Sequence, residues 1–157
     1  MKDREETKLE KEWEEHLWAE ILTKLVLVLT SKLSLSDVLE EVLRQVKRLV
    51  SYSACNIFLI EKEGVYSVHS IGYQKYSSKK FMNNFQYPLD KLPLENEVIR
   101  SAKPLLVPDT YQESRWIIFK ETSWIRSHLY MPISLENKVI GISVSYTHLT
   151  LPTNREV

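Results

Sequence analysis

Two strand-length apolar runs, SHLYMPISL (127–135) and KVIGISVS (138–145), are separated only by Glu136 and Asn137. A two-residue polar turn between such runs leaves them one arrangement, antiparallel pairing in a hairpin. A second pair lies earlier. SACNIFLI (53–60) leads through the turn Glu61, Lys62, Glu63, Gly64 into a returning run, 65–71, with Gly64 expected to supply a positive φ. An isolated hairpin is marginal in water, so two of them predict a shared sheet. Residues 85–88 fit a short edge strand, since Pro88 cannot donate to a ladder, and 104–107 fit another, closed by Pro108.

Helical spacing fills much of the remainder. Residues 2–16 are dense in Glu, Lys and Arg without Gly or Pro, which predicts a solvated helix. From Leu17 the pattern changes. Trp18, Ile21, Leu25 and Val28 follow 3-4-3 spacing, and Leu17, Leu22, Val26 and Leu29 widen the apolar arc beyond one face. Such an arc suits either a core helix or a helix that also packs on a second subunit. Ser34 or Ser36 can cap the next helix, with Asp37 and Glu40 favourably placed in its first turn. Val38, Leu39, Val42, Leu43, Val46 and Leu49 form its apolar stripe, expected to lie on a sheet. Residues 94–101, introduced by Pro93, predict a short helix, and 72–84 a loop with one turn of helix. Residues 109–123 read as a long loop. The order of elements predicts an α+β domain whose six strands form a mostly antiparallel sheet flanked by helices.

Lys plus Arg equals Asp plus Glu at 21 each, so no global field draws the chain to nucleic acid or an acidic membrane. Its most apolar window, 21–29, is interrupted by Lys24 and is far shorter than the ~20 residues that span a bilayer. One cysteine, Cys55, cannot form an internal disulfide, which suits a reducing cytoplasm. His16, His69, His128 and His148 fall on four different elements, so no metal site is expected. Ser127 and His128 are neighbours on a strand and point to opposite faces, so they cannot act as a nucleophile–base pair. No catalytic constellation is expected.

Three segments carry a family resemblance in order and spacing: LSDVLEEVLRQVKRLVSYSACNIFLIEKEG, YPLDKLPLENEVIRSAKPLLVPDT and SRWIIFKETSWIRSHLYMPISLENKVIGISV. Together they resemble the GAF domain over about residues 34–145. The resemblance implies a GAF-like sheet with a long N-terminal signalling helix. It also implies a regulatory module of a bacterial signal-transduction protein, attached to a histidine kinase or a cyclic-di-GMP enzyme. In that family a small molecule binds between the sheet and the loops over it, and flanking helices dimerise. On this basis residues 1–32 are expected to form a linker and dimerisation helix, with homodimer contacts over 8–30, and 33–145 the sensing domain. The family's specialised activities need residues that this sequence lacks. Cys55 is followed by Asn56 rather than by the His common at bilin attachment sites. A single cysteine cannot complete a methionine sulfoxide reductase cycle. The N-K-F-D-E signature of the cyclic-nucleotide subset is missing. No cofactor is expected.

A pocket for an unidentified small molecule is expected under loop 109–126. The loop supplies Asp109, Tyr111, Arg115, Trp116, Phe119, Trp124 and Arg126, and Phe58, Tyr73, His128 and Tyr130 would form its base. Arg126 suits an anionic ligand, since a planar guanidinium matches carboxylate or phosphate. Its alternative is a salt bridge to Asp109 or Glu121. Trp116 and Trp124 could instead plug the pocket and leave a structural dimerisation spacer. The final SYTHLTLPTNREV resembles translated adapter sequence at the ends of unrelated metagenomic reading frames. Residues 146–157 are therefore expected to be a non-native tail, and a C-terminal helix and output domain are expected in a longer parent.

Overall fold

The computed structural model describes residues 2–30, 34–62 and 64–149. The side chains of Leu25, Val28 and Leu29, part of the expected apolar arc, and the tail from residue 150 lie outside the described set. The chain divides into two compact units, Met1–Val50 and Ser51–Val157.

The first unit holds two helices, α1 (Lys2–Thr30) and α2 (Leu35–Leu49). The charged segment and the apolar segment expected from the sequence form one continuous helix. Ile21 is buried, whereas Trp13, Trp18, Leu22, Val26 and Leu27 stay exposed. Ser34, not Ser36, caps α2. Its hydroxyl accepts from the Asp37 amide at 3.2 Å, and the Asp37 carboxylate accepts from the Ser34 amide at 3.1 Å. Glu20 of α1 receives a forked pair from Arg48 of α2 at 3.2 and 3.1 Å, and a contact from Lys24 at 2.9 Å.

The second unit is a six-stranded sheet in the order β3-β2-β1-β6-β5-β4. Its strands are β1 (Ala54–Glu61), β2 (Gly64–Ile71), β3 (Gln86–Pro88), β4 (Leu105–Val107), β5 (Ser127–Leu135) and β6 (Lys138–Thr147). Every pairing is antiparallel. Two helices flank it, α3 (Lys79–Asn83) and α4 (Pro93–Ser101), the latter opened by its proline. Both hairpins expected from the sequence are present, and β1 joins β6 to unite them.

Three details differ from the sequence reading. Among the described residues of the first hairpin, the left-handed one is Lys62 (φ 53), not Gly64. Gly64 instead lies in β2, where a Cβ would stand 3.1 Å from the Tyr87 carbonyl oxygen, so its bareness lets β3 approach. The second difference is at Gly72, which takes φ 85 on leaving β2. A Cβ there would meet the Ser53 carbonyl at 2.3 Å. Thirdly, β6 continues past Ser145: Tyr146 pairs with both Ala54 and His128, and Thr147 with Ser127. Tyr146 is buried, so its ring packs into the same core as its neighbours on the sheet.

That core occupies one face of the sheet. Along β1 and β6 the residues Ala54, Phe58, Ile142, Val144 and Tyr146 point into it, with Tyr130 from β5, Leu94 and Val98 from α4, and Met82 from α3. Cys55, on the opposite face of β1, is fully buried with its sulfur 3.8 Å from the Ser143 hydroxyl, and burial pushes its thiol up to about 11.

Candidate ligand pocket

Loop 109–126 crosses the core face and is clamped at its ends. The Thr110 amide donates to the Arg126 carbonyl at 2.8 Å, the Thr110 hydroxyl to the Ile125 carbonyl at 2.9 Å, and the Arg126 amide to the Thr147 carbonyl at 2.8 Å. Between these ends the loop holds to the domain mainly through aromatic side chains. Trp124 lies flat on Tyr76, with ring centres 3.7 Å apart and planes 5° apart, and its indole N–H donates to the Glu121 carbonyl at 3.1 Å. Phe119 meets Phe81, Phe85 and Tyr87 at 5.3–5.7 Å between centres.

Beneath the loop lies a cavity of about 20 Å³, room for a single water. Its lining is Phe58 from β1, Met82 from α3, Phe85, Leu92, Leu94 and Glu95 from the start of α4, Tyr146 from β6, and Arg115, Trp116, Ile117, Phe119, Thr122 and Ile125 from the loop.

Glu95, Arg115 and Thr122 interrupt this apolar lining, and His128 stands behind it. Glu95 is buried on the inward stripe of α4, and its Oε1 accepts the Tyr130 hydroxyl at 3.1 Å. Burial raises the Glu95 carboxyl above the usual carboxylate range, against the lowering effect of its hydrogen bonds. His128, outside the lining, is 1% exposed on β5. The ring lies edge-on to Trp116 at 4.5 Å and tilted against Tyr130 at 4.6 Å. Among the described residues neither ring nitrogen has a hydrogen-bond partner. Burial drives this imidazole down to about 3, so it is neutral at physiological pH. One donor and one acceptor are thus stranded, each an unmade bond of about 1–3 kcal/mol.

The eleven pocket residues expected from the sequence do not form one constellation. Phe58, Arg115, Trp116 and Phe119 line the cavity, and His128 and Tyr130 stand directly behind Trp116 and Glu95. Tyr73 is a core residue, edge-on to Trp124 and Tyr146 at 6.1 Å each, and Trp124 staples the loop instead of facing a ligand. Asp109, Tyr111 and Arg126 make a separate cluster outside the cavity lining. Arg126 donates to Asp109 at 3.3 Å and its guanidinium stacks on the Tyr111 ring at 3.9 Å. Asp109 also accepts the Tyr111 amide at 3.0 Å, and that bond above all holds its carboxyl below the ordinary range. Of the two roles open to Arg126, the structure contains the salt bridge to Asp109.

Glu95 was absent from the expected set. An acid in the first turn of a helix reads as a favourable dipole partner whether it faces water or the core. Its signal is register: Glu95 shares the inward side of α4 with Leu94 and Val98. Arg115 enters the lining by being held from both sides. It bonds Glu113 through Nε and Nη2 at 2.9 Å each and Glu97 through Nη1, and Glu113 is held down at about 2 chiefly by that guanidinium.

Among the described residues no helix is long and apolar enough to cross a membrane, and no group of three or more His, Cys, Asp or Glu could hold a metal ion. No curated protein matches the chain. Solved structures do. The GAF domain of a phosphoenolpyruvate-protein phosphotransferase from Coxiella burnetii is 16% identical, covers 83% of this chain and 77% of its own, and superposes with a TM-score of 0.69. The GAF domain/HD domain protein from Geobacter sulfurreducens is 19% identical over 76% and 79%, with a TM-score of 0.65. The phycocyanobilin-bound GAF domain from a cyanobacterial phytochrome is 14% identical over 87% and 83%, also with a TM-score of 0.65. At such identities the likeness is one of fold. The family model for the GAF domain, however, matches residues 32–149 directly. With that match and the six-stranded sheet together, the chain belongs to the GAF domain family, a sensory and regulatory fold found in signalling proteins and phytochromes.

Proposed function

We propose that this domain senses a small molecule beneath loop 109–126 and regulates a bacterial, cytoplasmic signalling protein of the two-component or cyclic-di-GMP type. The observation that carries the reading is Glu95, buried in the lining of an aromatic and aliphatic cavity roofed by a loop, with Tyr130 and His128 packed behind that lining. Aromatic walls with a few converging polar groups are the usual make-up of a ligand site, and the stranded nitrogens of His128 lie behind a single indole. A ligand that moved Trp116 would satisfy them. It would also shift the loop, whose last residue is bonded to β6. The signal passes to α1, which in this reading pairs with α1 of a second copy and sets an output module. The response is limited by the ligand's differential affinity for the two loop positions.

The domain itself performs no catalysis in this reading. Cys55 is buried with a weakly acidic thiol, and the Ser127 hydroxyl is bonded to Thr147 at 2.7 Å rather than to His128. A second reading, a dimerisation spacer without a ligand, is favoured by the smallness of the cavity as the loop now fills it. Native mass spectrometry of the chain, followed by thermal shift against a metabolite panel, separates the two. A dimer that carries a discrete added mass, or melts higher with one compound class, supports sensing. A bare dimer indifferent to the whole panel supports the spacer.

A further inference from the structure

The charges around the cavity are unbalanced. Glu95 lines it, is buried, and has the neutral Tyr130 hydroxyl as its side-chain partner. The one cation in the lining, Arg115, is already engaged by Glu113 and Glu97. That guanidinium is matched by Glu113 and Glu97, and Glu95 has no bond to it. The remaining lining mixes the rings of Phe58, Phe85, Trp116, Phe119 and Tyr146 with aliphatic side chains and Thr122, and the face of an aromatic ring carries negative potential. A buried carboxylate that lacks a cation favours its neutral form, and Glu95 is shifted in that direction.

We propose that the cavity beneath loop 109–126 takes an organic ammonium ion, with the Glu95 carboxylate as its counter-ion and the surrounding rings as cation–π walls. This deepens the sensing reading and rests on it. An ammonium supplies the opposite charge that Glu95 lacks, in a site where the rings and the low dielectric favour cations together. An anion would hold Glu95 in its neutral form, gain no counter-charge from it, and find Arg115 already engaged. A neutral molecule of the same shape gains only its apolar burial. An occupant larger than one water displaces Trp116 and Ile117, the loop's apolar plugs.

The test uses the full chain at neutral pH, with tryptophan fluorescence and calorimetry and two matched probe series. One is benzylamine, benzyl alcohol and benzoate; the other is propylamine, 1-propanol and propionate. Both amines are expected to bind about tenfold or more tighter than their alcohols, with the carboxylates weakest. Glu95→Gln is expected to bring the amines to the level of the alcohols. Alcohols that match the amines in wild type, or a preference that survives in E95Q, would overturn the cation assignment while leaving the sensing reading intact. Failure of all six probes to bind would also overturn the cation assignment, while the sensing reading stands or falls on the metabolite panel. The wild-type series decides the charge preference by itself, and the urea midpoint of E95Q reports its folding.

Discussion

His128 makes the pH dependence of stability calculable. Its imidazole is driven from 6.5 in an unfolded chain to about 3 in the native one, by burial. Between those values the unfolded chain binds a proton that the native state refuses. Stability is therefore unaffected above the unfolded value, falls as pH drops below it, and stops falling once the native value is reached. Each pH unit inside the window is worth about 1.36 kcal/mol. At pH 5, some 1.5 units below the unfolded value, the loss from this one residue is about 2 kcal/mol relative to pH 8. Other groups titrate in the same interval, so the informative quantity is the difference between wild type and His128→Phe, in which they cancel. Phenylalanine keeps an aromatic ring against Trp116 and Tyr130 and removes both stranded nitrogens. At pH 8 the variant should equal wild type or exceed it by about 1–3 kcal/mol. Between pH 8 and 5 wild type should lose about 2 kcal/mol more than the variant. Urea denaturation at each pH supplies both numbers. Parallel curves would refute the reasoning, because they would mean that His128 protonates in the native state as readily as in the unfolded one.

Three further outcomes follow from named contacts. Gly72→Ala forces a side chain into φ 85 with a Cβ at 2.3 Å from the Ser53 carbonyl; a loss of about 2 kcal/mol or more is expected in urea melts. Glu95 contributes the opposite slope to His128. Its raised carboxyl gives stability that is full below the ordinary carboxylate range and is lost as pH rises through the native value, so E95Q should gain on wild type in alkaline melts. Cys55 is fully buried with its thiol near 11; it should react with a disulfide reagent orders of magnitude more slowly in native chain than in urea-unfolded chain, and a rapid native reaction would show that β1 opens easily.

The sheet was legible because strands leave a short-range pattern. The turn at Glu136 and Asn137, and the apolar runs beside it, determine their own partner without reference to the rest of the chain. What stayed hidden was set by long-range packing. Nothing near Tyr146 in sequence states that Ala54 and His128 flank it, so the strand was read as stopping at Ser145, whereas the ladder runs two residues further. Lys62 takes the left-handed turn position expected of Gly64, and Gly64 lies within β2, close to the Tyr87 carbonyl of β3. In the pocket, residue type points to Phe58, Trp116 and Phe119 of the lining but not to Phe85 or Tyr146, and leaves Arg126 open between ligand and salt bridge. Only the fold brings Asp109 and Tyr111 to it, and only the fold turns Glu95 inward.

The strand order has a consequence for how the domain is made. The seam at the middle of the sheet joins residues such as Cys55 and Ser143, 88 positions apart. Each hairpin can zip locally in microseconds, but their union must wait for a loop of that length to close. On the ribosome, β1 and β2 emerge long before β6 exists, and β1 has an open edge until then. A nascent chain in that interval is a half-sheet seeking a strand, so slow, chaperone-sensitive folding and strand exchange between neighbouring chains are the hazards this topology carries.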